Sequence, residues 1–322
     1  MKSLEEIKSI ALRAVTQEST AIANLIHFID NEFAMCVEKI FSSQGRVVIT
    51  GIGKSANIAL KIVSTLNSTG TPAIFMHAAD AIHGDLGIIQ KEDVIICISK
   101  SGDTPEIKVL VPLLKAMGST LIAMVGNMNS FLAGQADLRI NCTVESEACP
   151  NNLAPTSSTT AQLVMGDALA VALLECREFT AQDFARYHPG GALGKKLYLK
   201  VGDLSASNEL PKVKPTDTLR DAILEISSKR LGVAAVVENE TLLGIITDGD
   251  LRRLLMRTEN IENLLAKDAM SANPKTIQKD ELAVNALNLM RQNKITQLLV
   301  VDKKNRYTGV IHMHDILREG II

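Results

Sequence analysis

The sequence predicts an α/β fold, a doubly wound parallel sheet, followed by a smaller α+β region that is repeated. Short, continuously apolar runs such as "RVVITG" and "DVIICIS" alternate with helical segments, which is the pattern of parallel strands covered on both faces. From about Val201 the chain repeats itself, because Gly244 matches Gly309 and Asp203 matches Asp268 at the same spacing. A repeated unit too small to bury its own core is expected to pack against its copy.

The composition narrows the class of protein. The 322 residues carry a formal net charge of −2 and 3% aromatic residues, with no Trp, so neither a basic field nor stacking platforms favour nucleic acid. The N-terminal "MKSLEEIKSIALRAV" has the pattern of a helix rather than a signal peptide, and no apolar run approaches the ~18 residues of a membrane span. The five Cys form no C-x-x-C pair, which predicts reduced thiols and a cytoplasmic location.

The elements follow in order along the chain. Apolar spacing predicts a helical region from residue 1 to about residue 42. Strands are predicted in "RVVITG", "PAIFMH", "DVIICIS", "TLIAMVG" and "LRINCTV", with helical segments between them. A long apolar helix, "SSTTAQLVMGDALAVALLECREF", and a His-Pro-Gly-Gly turn end the first domain. We therefore predict a first domain over 1–200 and two repeats over 201–262 and 263–322, each with the order strand, helix, strand pair, helix.

The Gly-rich turn in "RVVITGIGKSANIAL" is compatible with two phosphate-binding motifs and satisfies neither. A P-loop requires a Gly five positions before Gly53, and Val48 lies there, inside the strand. The G-x-G-x-x-A pattern needs an acidic residue at the end of the next strand. That strand ends at His77, and Asp80 lies too far along the chain, which weakens the dinucleotide interpretation.

A second loop, "CISKSGDTPEI", repeats the arrangement of strand, small polar turn and helix. Thr104 precedes Pro105 and is predicted to be the N-cap residue of the helix. Hydroxyl and free N–H groups at a helix N-terminus can bind an anion without a positive charge. Both loops follow the carboxyl ends of neighbouring strands, so they should share one crevice and hold one phosphate. The predicted phosphate-binding residues are Gly51, Gly53, Ser55, Ser99, Ser101 and Thr104.

These two loops, "GIGKS" and "ISKSGDTPE", resemble the sugar isomerase (SIS) domain, which binds phosphosugars. The segments "HGDLG", "EACPNNLAPTSSTTAQLVMGDALAVAL" and "FARYHPGGALGKKL" are similar to the arabinose 5-phosphate isomerase family, and the two repeats resemble a tandem CBS pair. The resemblance covers nearly the whole chain. It implies a flavodoxin-like SIS domain and an aldose–ketose isomerase that interconverts D-ribulose 5-phosphate and D-arabinose 5-phosphate through a cis-enediol. The resemblance places that reaction on the route to 3-deoxy-D-manno-octulosonate and lipopolysaccharide.

The resemblance also assigns the site residues. An enediol route needs a general base near C1 and C2 and a group that polarises the oxygens, and it requires no metal or nicotinamide. The family's catalytic positions correspond to Lys54, Glu106, Glu147 and His188, with the same residue types. Glu147 is assigned as the proton shuttle with Glu106 as the alternative base, Lys54 as a cation, and His188 as the ring-opening group, which we expect to reach a neighbouring subunit's site. His83, Ser157, Ser158 and Thr159 are assigned to the sugar pocket.

A metal site is a weaker alternative. His77, Asp80, His83 and Asp85 lie within nine residues of one another, and imidazole and carboxylate groups are zinc ligands. Their spacing matches no standard ligand motif. We therefore expect no required metal, and at most an inhibitory Zn²⁺ site at His83.

The resemblance to CBS pairs implies ligand contacts at Thr247 and Asp250 in the first repeat and at His312 and Asp315 in the second. His312 replaces the usual hydroxyl residue, which weakens the case for an ordinary adenine nucleotide in that half. Two alternatives stay open: regulation by a nucleotide or a CMP-linked sugar, and an oligomerisation device with no ligand.

Other functions also stay open: a phosphosugar isomerase with a different substrate, or a non-catalytic regulator that senses a phosphosugar or a nucleotide. About 42 residues precede the sheet, and they carry no basic excess. All four catalytic residue types are present. Both facts favour an enzyme. The helix "LVMGDALAVALL" is apolar nearly all round and should be buried. This predicts a homo-oligomer, and the resemblance implies a tetramer.

Overall fold

The computed structural model describes residues 1–258, 261 and 263–321, and the chain forms two compact units. The first is Met1–Tyr187 and the second is His188–Ile322. The division lies before the boundary predicted at residue 200, because the segment that follows Tyr187 bonds within the second unit. The backbone N–H of Ala283, for example, donates to the carbonyl of Leu199 at 2.8 Å. The predicted boundary at residue 262 and the predicted end of the last repeat at residue 322 lie outside the described residues.

The first unit is built on a five-stranded parallel sheet, as predicted. Its strands are β1 Val47–Gly51, β2 Ala73–His77, β3 Val94–Ser99, β4 Thr120–Val125 and β5 Leu138–Asn141. They lie in the order β2-β1-β3-β4-β5, which is the flavodoxin-like order. Consequently the carboxyl ends of β1 and β3 are neighbours, and β4 separates β3 from β5.

Helices cover both faces of this sheet. They are α1 Leu4–Asn24, α2 Asn31–Ser42, α3 Lys54–Ser68, α4 Ala78–Ala81, α5 Pro105–Ala116, α6 Phe131–Gln135, α7 Ser157–Cys176 and α8 Ala181–Tyr187. Because successive side chains of a strand point to opposite faces, Val47 and Ile49 enter one apolar core and Val48 enters the other. Side chains of α2, α3 and α7 complete the first core, and those of α4, α5 and α6 complete the second.

The N-terminal helical region consists of two helices. A 3₁₀ turn, Leu25–Phe28, separates them, and Asp30 caps α2 by accepting from the N–H of Phe33 at 3.0 Å. Helix α1 buries none of its side chains within the chain. It is tied to the unit by polar bonds, because Gln17 Nε2 donates to the carbonyl of Glu147 at 2.9 Å and to Ser146 Oγ at 2.7 Å. This helix therefore contacts the loop that follows β5.

Helix α7 is the long apolar helix of the sequence. It packs closely on α3, and a Cβ at Gly166 would meet the side chain of Ile62 at 2.3 Å. Its other face is less covered, with Val171 52% exposed. Within the described residues, α7 has the length and hydropathy of a membrane span, contrary to the expectation that no apolar run approaches that length. Core helices of soluble proteins can be equally long and apolar, and α7 supplies much of the first core.

The second unit contains two small sheets. The first has the order β6-β7-β8-β9 and the second β10-β11-β12, where the strands are β6 Lys212–Val213, β7 Val233–Glu238, β8 Thr241–Thr247, β9 Ser271–Ala272, β10 Thr276–Gln278, β11 Gln297–Val301 and β12 Tyr307–His312. The helices are α9 Ala192–Tyr198, α10 Val201–Ser205, α11 Leu219–Lys229, α12 Asp248–Leu255, α13 Ala266–Ala269, α14 Ala283–Asn293 and α15 Met313–Arg318. Val233, Ala235, Leu299 and Val310 form a core shared by both repeats, so the repeats pack as a pair, as predicted.

Candidate active site

A cavity of about 250 Å³ lies at the carboxyl ends of β1 and β3 in the first unit. The two predicted loops and the start of α7 meet there. Four of the six predicted phosphate-binding residues line the cavity, namely Ser55, Ser99, Ser101 and Thr104. The remaining lining residues are Ile52, Lys54, Ile98, Lys100, Pro155, Ser158 and Thr159.

Glycines shape both loops. Gly53 precedes α3 with φ +59°, and Gly102 lies in the second loop with φ +68°, conformations that other residues adopt at a cost. A Cβ at Gly102 would also meet Ser130 Oγ at 2.1 Å. Gly51 has another role, because a Cβ there would lie 3.2 Å from the carbonyl of Ile98 on the neighbouring strand. Gly51 and Gly53 therefore set the backbone path and do not line the cavity themselves.

The second loop leaves one hydroxyl without a partner. Thr104 is the N-cap residue of α5, with Pro105 at the first helical position, as the sequence predicts. Its side chain makes no capping bond, however, and Oγ1 is buried with no hydrogen-bond partner in the part of the chain that the structure describes. A buried hydroxyl without a partner is costly, so a ligand oxygen in this cavity would satisfy Thr104. Ser99 Oγ instead accepts from the N–H of Gly102 at 3.0 Å and stabilises the loop.

Residues of α3 form the opposite wall. Lys54 is the exposed first residue of that helix, and its ammonium is free to approach a ligand in the cavity that it lines. Ser55 Oγ lies 3.2 Å from Oε1 of Gln162, a buried residue of α7 that the sequence analysis did not single out. This bond links the first loop to the helix that carries Ser158 and Thr159.

Glu147 is held by more hydrogen bonds than any other predicted site residue in the described structure. Its carboxylate has no exposed surface. Oε1 accepts from Lys100 Nζ at 2.6 Å and from Ser158 Oγ at 2.5 Å. Oε2 accepts from the N–H and hydroxyl of Thr156, at 2.8 and 3.2 Å, and from the N–H of Ser158 at 3.1 Å. Burial raises the pKa of Glu147, but the bonds from Lys100, Ser158 and Thr156 outweigh burial and lower this pKa to about 2.

Lys100 is the functional candidate that the sequence analysis missed. It follows β3, lines the cavity and forms the ion pair with Glu147, which follows β5. Its side chain therefore has to pass the end of β4, where Gly126 leaves room: a Cβ there would lie 2.9 Å from the carbonyl oxygen of Lys100 and 3.5 Å from its Cγ. The available signal was a lysine between the two serines of "SKS" in a predicted anion loop.

Several predicted residues do not line this cavity, and Glu147 is one of them, since it is fully buried beside Lys100 and Ser158. Glu106, in the first turn of α5, is half-buried and does not line it. His83 is exposed and also does not line it, and the described residues contain no group of three or more His, Cys, Asp or Glu arranged to hold a metal ion. Ser157 is fully buried, and its Oγ finds no hydrogen-bond partner among the described residues. His188 is the first residue of the second unit, so it is outside the cluster described for the first.

The residues predicted to bind a CBS ligand all cap helices. Asp250 N–H donates to Thr247 Oγ1 at 3.1 Å, and Thr247 N–H donates to Asp250 Oδ2 at 3.0 Å. In the second repeat, His312 N–H donates to Asp315 Oδ2 at 2.9 Å. His314 lies on α15, and its ring stacks on that of His312 with centroids 4.9 Å apart.

Comparison with protein families supports the two-part organisation. A SIS domain model matches residues 40–172, which include all five strands of the parallel sheet. A CBS domain model matches twice, over residues 201–257 and 266–321. The solved c3406 protein of E. coli CFT073, in complex with arabinose 5-phosphate, is 42% identical with a TM-score of 0.57, over 58% of this chain and 100% of that one. A putative sugar-phosphate isomerase from Listeria monocytogenes is 35% identical, with the same TM-score, over 59% of this chain and 100% of that chain.

Full-length relatives extend the similarity to the whole chain. The arabinose 5-phosphate isomerase KdsD of Pseudomonas aeruginosa is 48% identical over 314 residues, 97% of this chain and 96% of that protein. The protein of the same name from Escherichia coli K12 is 47% identical over 307 residues, 95% of this chain and 93% of that protein. With a SIS domain followed by two CBS domains, the chain belongs to the arabinose 5-phosphate isomerase KdsD family.

Proposed function

We propose that this chain is an aldose–ketose isomerase that interconverts D-ribulose 5-phosphate and D-arabinose 5-phosphate. The observation that carries the proposal is the cavity at the ends of β1 and β3, where loop hydroxyls and two lysines surround a space suited to a small phosphosugar. The buried carboxylate of Glu147 does not line the cavity but is bonded to two residues that do, Lys100 and Ser158. Relatives similar over nearly the full length are named for this isomerase. The proposed product feeds 3-deoxy-D-manno-octulosonate and lipopolysaccharide synthesis in the cytoplasm, and the five free cysteines accord with a reducing compartment.

The phosphate is proposed to bind between the two loops. The hydroxyl of Thr104 and the free N–H groups at the start of α5 supply donors, as helix N-termini do for anions. Ser55 and Ser101 bring further hydroxyls, and Lys54 supplies positive charge from the opposite wall. The other end of the sugar is then proposed to lie toward the start of α7, near Ser158, which donates to Glu147.

Proton transfer between C1 and C2 is assigned to Glu147, whose carboxylate is bonded to Lys100 and Ser158 on the wall of the cavity. Glu147 removes a proton from one carbon of the open-chain sugar and returns it to the other through a cis-enediol. Glu106 is the alternative base. Neither carboxylate lines the cavity, but Glu147 is bonded to the lining residues Lys100 and Ser158. The route requires proton transfer only, so we propose that no metal or organic cofactor takes part and that any Zn²⁺ bound at His83 would inhibit rather than catalyse.

His188 is proposed to open the sugar ring. It follows the last helix of the first unit and begins the second, and we propose that it serves the site of a neighbouring subunit in a homotetramer. Mixing inactive His188→Ala and Glu147→Gln subunits tests this assignment. Recovery of part of the activity supports shared sites, and a mixture as inactive as its components rejects them.

A direct assay tests the reaction itself. Purified full-length protein should convert D-ribulose 5-phosphate to D-arabinose 5-phosphate, with ribose 5-phosphate and glucose 6-phosphate as controls for specificity. Glu147→Gln keeps the shape of the side chain and removes the base, so kcat should fall by ~100-fold or more. Glu106→Gln is the matched control and should retain more activity. Near-normal turnover of Glu147→Gln would indicate that Glu106 is the base. An inactive wild-type protein would reject the proposed function.

The CBS pair is proposed to bind a regulatory nucleotide or CMP-linked sugar at Thr247, Asp250, His312 and Asp315. Asp250 also accepts from Arg253 and Ser271, so a ribose would have to compete for these bonds. Calorimetry of the full chain with ATP, AMP and a CMP-linked sugar, compared with Asp250→Asn, tests the proposal. No binding heat with any of the three would favour a purely architectural pair.

A further inference from the structure

The ion pair between Lys100 and Glu147 poses a chemical problem for the proposed reaction. A carboxylate that accepts five hydrogen bonds, one of them from an ammonium group at 2.6 Å, is a weak base toward a carbon acid. The same carboxylate is completely buried, and burial alone would make it a stronger base. The position of one lysine therefore decides which of the two effects prevails.

Lys100 is placed to contact two anions. Its ammonium bonds Glu147, while its neighbours Ser99 and Ser101 line the cavity where the phosphate is proposed to bind. Its side chain remains 44% exposed, whereas the carboxylate of Glu147 has no exposed surface. A partly exposed lysine on a flexible four-carbon stem can reorient, and a phosphate dianion carries more charge than one carboxylate.

We propose that Lys100 is a phosphate-binding residue that also controls Glu147: before substrate binds, it holds the carboxylate in an ion pair, and when substrate binds, its ammonium turns to the phosphate. Glu147 then keeps its bonds from Ser158 and Thr156 and so stays in position. It loses the strongest of its charged partners and becomes a better proton acceptor. Binding of the phosphate is thereby used to activate the base only when the sugar is present. This inference rests on the proposed function.

The surroundings of Glu147 leave few other groups that could play this part. Within the described ranges, Lys100 is the charged side chain that contacts Glu147. Cys149 is the next ionisable group of the same loop. Glu18 of α1 accepts a hydrogen bond from Thr160, which lies in the turn of α7 after Thr156. Lys54 lines the cavity from α3 and does not contact Glu147. Glu145 of the loop and Asp103 after β3 add only negative charge, and Asp103 pairs with Lys108.

The pH dependence of Lys100→Met distinguishes a mobile lysine from a fixed one. The profile of kcat/KM reports groups of the free enzyme, and the profile of kcat reports groups of the substrate complex. If Lys100 turns to the phosphate, its loss should move the midpoint of the acid limb of kcat/KM to higher pH by at least about one unit. The midpoint of the acid limb of kcat should not move. KM should rise by roughly ten- to a hundredfold, because a charged contact to the phosphate is lost.

Other outcomes overturn the proposal. Equal shifts of both acid limbs would mean that Lys100 stays on Glu147 during turnover. Unshifted limbs would mean that the pair does not control the base. Titration of the free substrate's phosphate is common to all variants and cancels in the ratio of kcat/KM between variant and wild type. An inactive wild-type protein would reject the proposed function, whereas an active one with an unshifted Lys100→Met would reject this inference alone.

Two further variants control the experiment. Lys61→Met removes an exposed ion pair between α3 and Asp167 of α7, away from the cavity lining, and should change neither limb because exposed pairs contribute little. Lys100→Arg retains the charge and should keep the acid limb of kcat/KM close to that of the wild type. If Lys100→Met does not fold, as judged by circular dichroism, Lys100→Gln replaces it, since the amide still donates to Glu147 without charge.

Discussion

Ser157 and Ser158 are adjacent on the first turn of α7, and both are buried, yet only one hydroxyl is used. Ser158 Oγ donates to Glu147 at 2.5 Å, whereas Ser157 Oγ has no partner among the described residues. Ser158→Ala should lower the free energy of unfolding by about 1.5–3 kcal/mol, because a hydrogen bond to a charged group is lost. Ser157→Ala should leave it unchanged or slightly higher.

Urea unfolding of the two variants at pH 7 measures this difference. The substitutions are the same in volume and lie on the same helical turn, so each controls for the other. Equal losses of stability would show that the bond from Ser158 to Glu147 contributes nothing to the fold. The contrast also bears on function, because the sequence assigned both serines to the sugar pocket and only Ser158 lines the cavity.

At the scale of elements, α1 has no fully buried side chain, and Gln17 bonds it to the loop after β5. Gln17→Ala removes both bonds to the loop that carries Glu147, each contributing about 1 kcal/mol. We expect kcat to fall by roughly five- to tenfold and the thermal midpoint to fall by about 4–8 °C, since about 2 kcal/mol of hydrogen bonding is lost. Steady-state kinetics and a melting curve of the same sample measure both quantities.

Thr16→Ala is the control in the same helix, since among the described residues the hydroxyl of Thr16 bonds only the backbone of α1, at the carbonyl of Leu12. It should retain the wild-type kcat. If both variants lose activity equally, α1 acts through its overall helical stability and not through Gln17. Faster hydrogen exchange at residues 145–148 in Gln17→Ala alone would locate the effect in the loop.

At the scale of the whole molecule, the two units should be separable. The solved relative in complex with arabinose 5-phosphate matches 58% of this chain over its own entire length, and the first unit has its own two cores. A chain of residues 1–200 should therefore fold and isomerise D-ribulose 5-phosphate. A chain of residues 1–187 should fold equally well and be inactive, because it lacks His188.

The pair of truncations separates two explanations of lost activity. Circular dichroism establishes whether each chain folds, and the isomerase assay is then made on folded protein only. Activity in the shorter chain would show that His188 is dispensable. Inactivity in both, with both folded, would show that the CBS pair is needed for catalysis and is not only a regulatory or architectural addition.

The sequence predicted this molecule best where structure is local. Alternating apolar runs identified the parallel sheet, and glycine and hydroxyl residues after β1 and β3 identified the loops, because each pattern depends on residues close together in the chain. The pair of Lys100 and Glu147 was out of reach, since it joins the ends of two strands separated by a third. For the same reason Gln17 and Gln162 carried no visible signal, because their partners lie more than a hundred residues away.

The burial of the cysteines gives the folded chain a selective thiol chemistry. Burial raises the pKa of Cys36 and of Cys97 to about 12 and raises that of Cys142 as well, so these thiols should resist alkylation in the native state. Cys149 is partly exposed, and N–H groups of its own loop lower its pKa. Once the exposed Cys176 is replaced by Ser, a maleimide dye should attach two residues from Glu147, where its fluorescence would follow the loop during turnover.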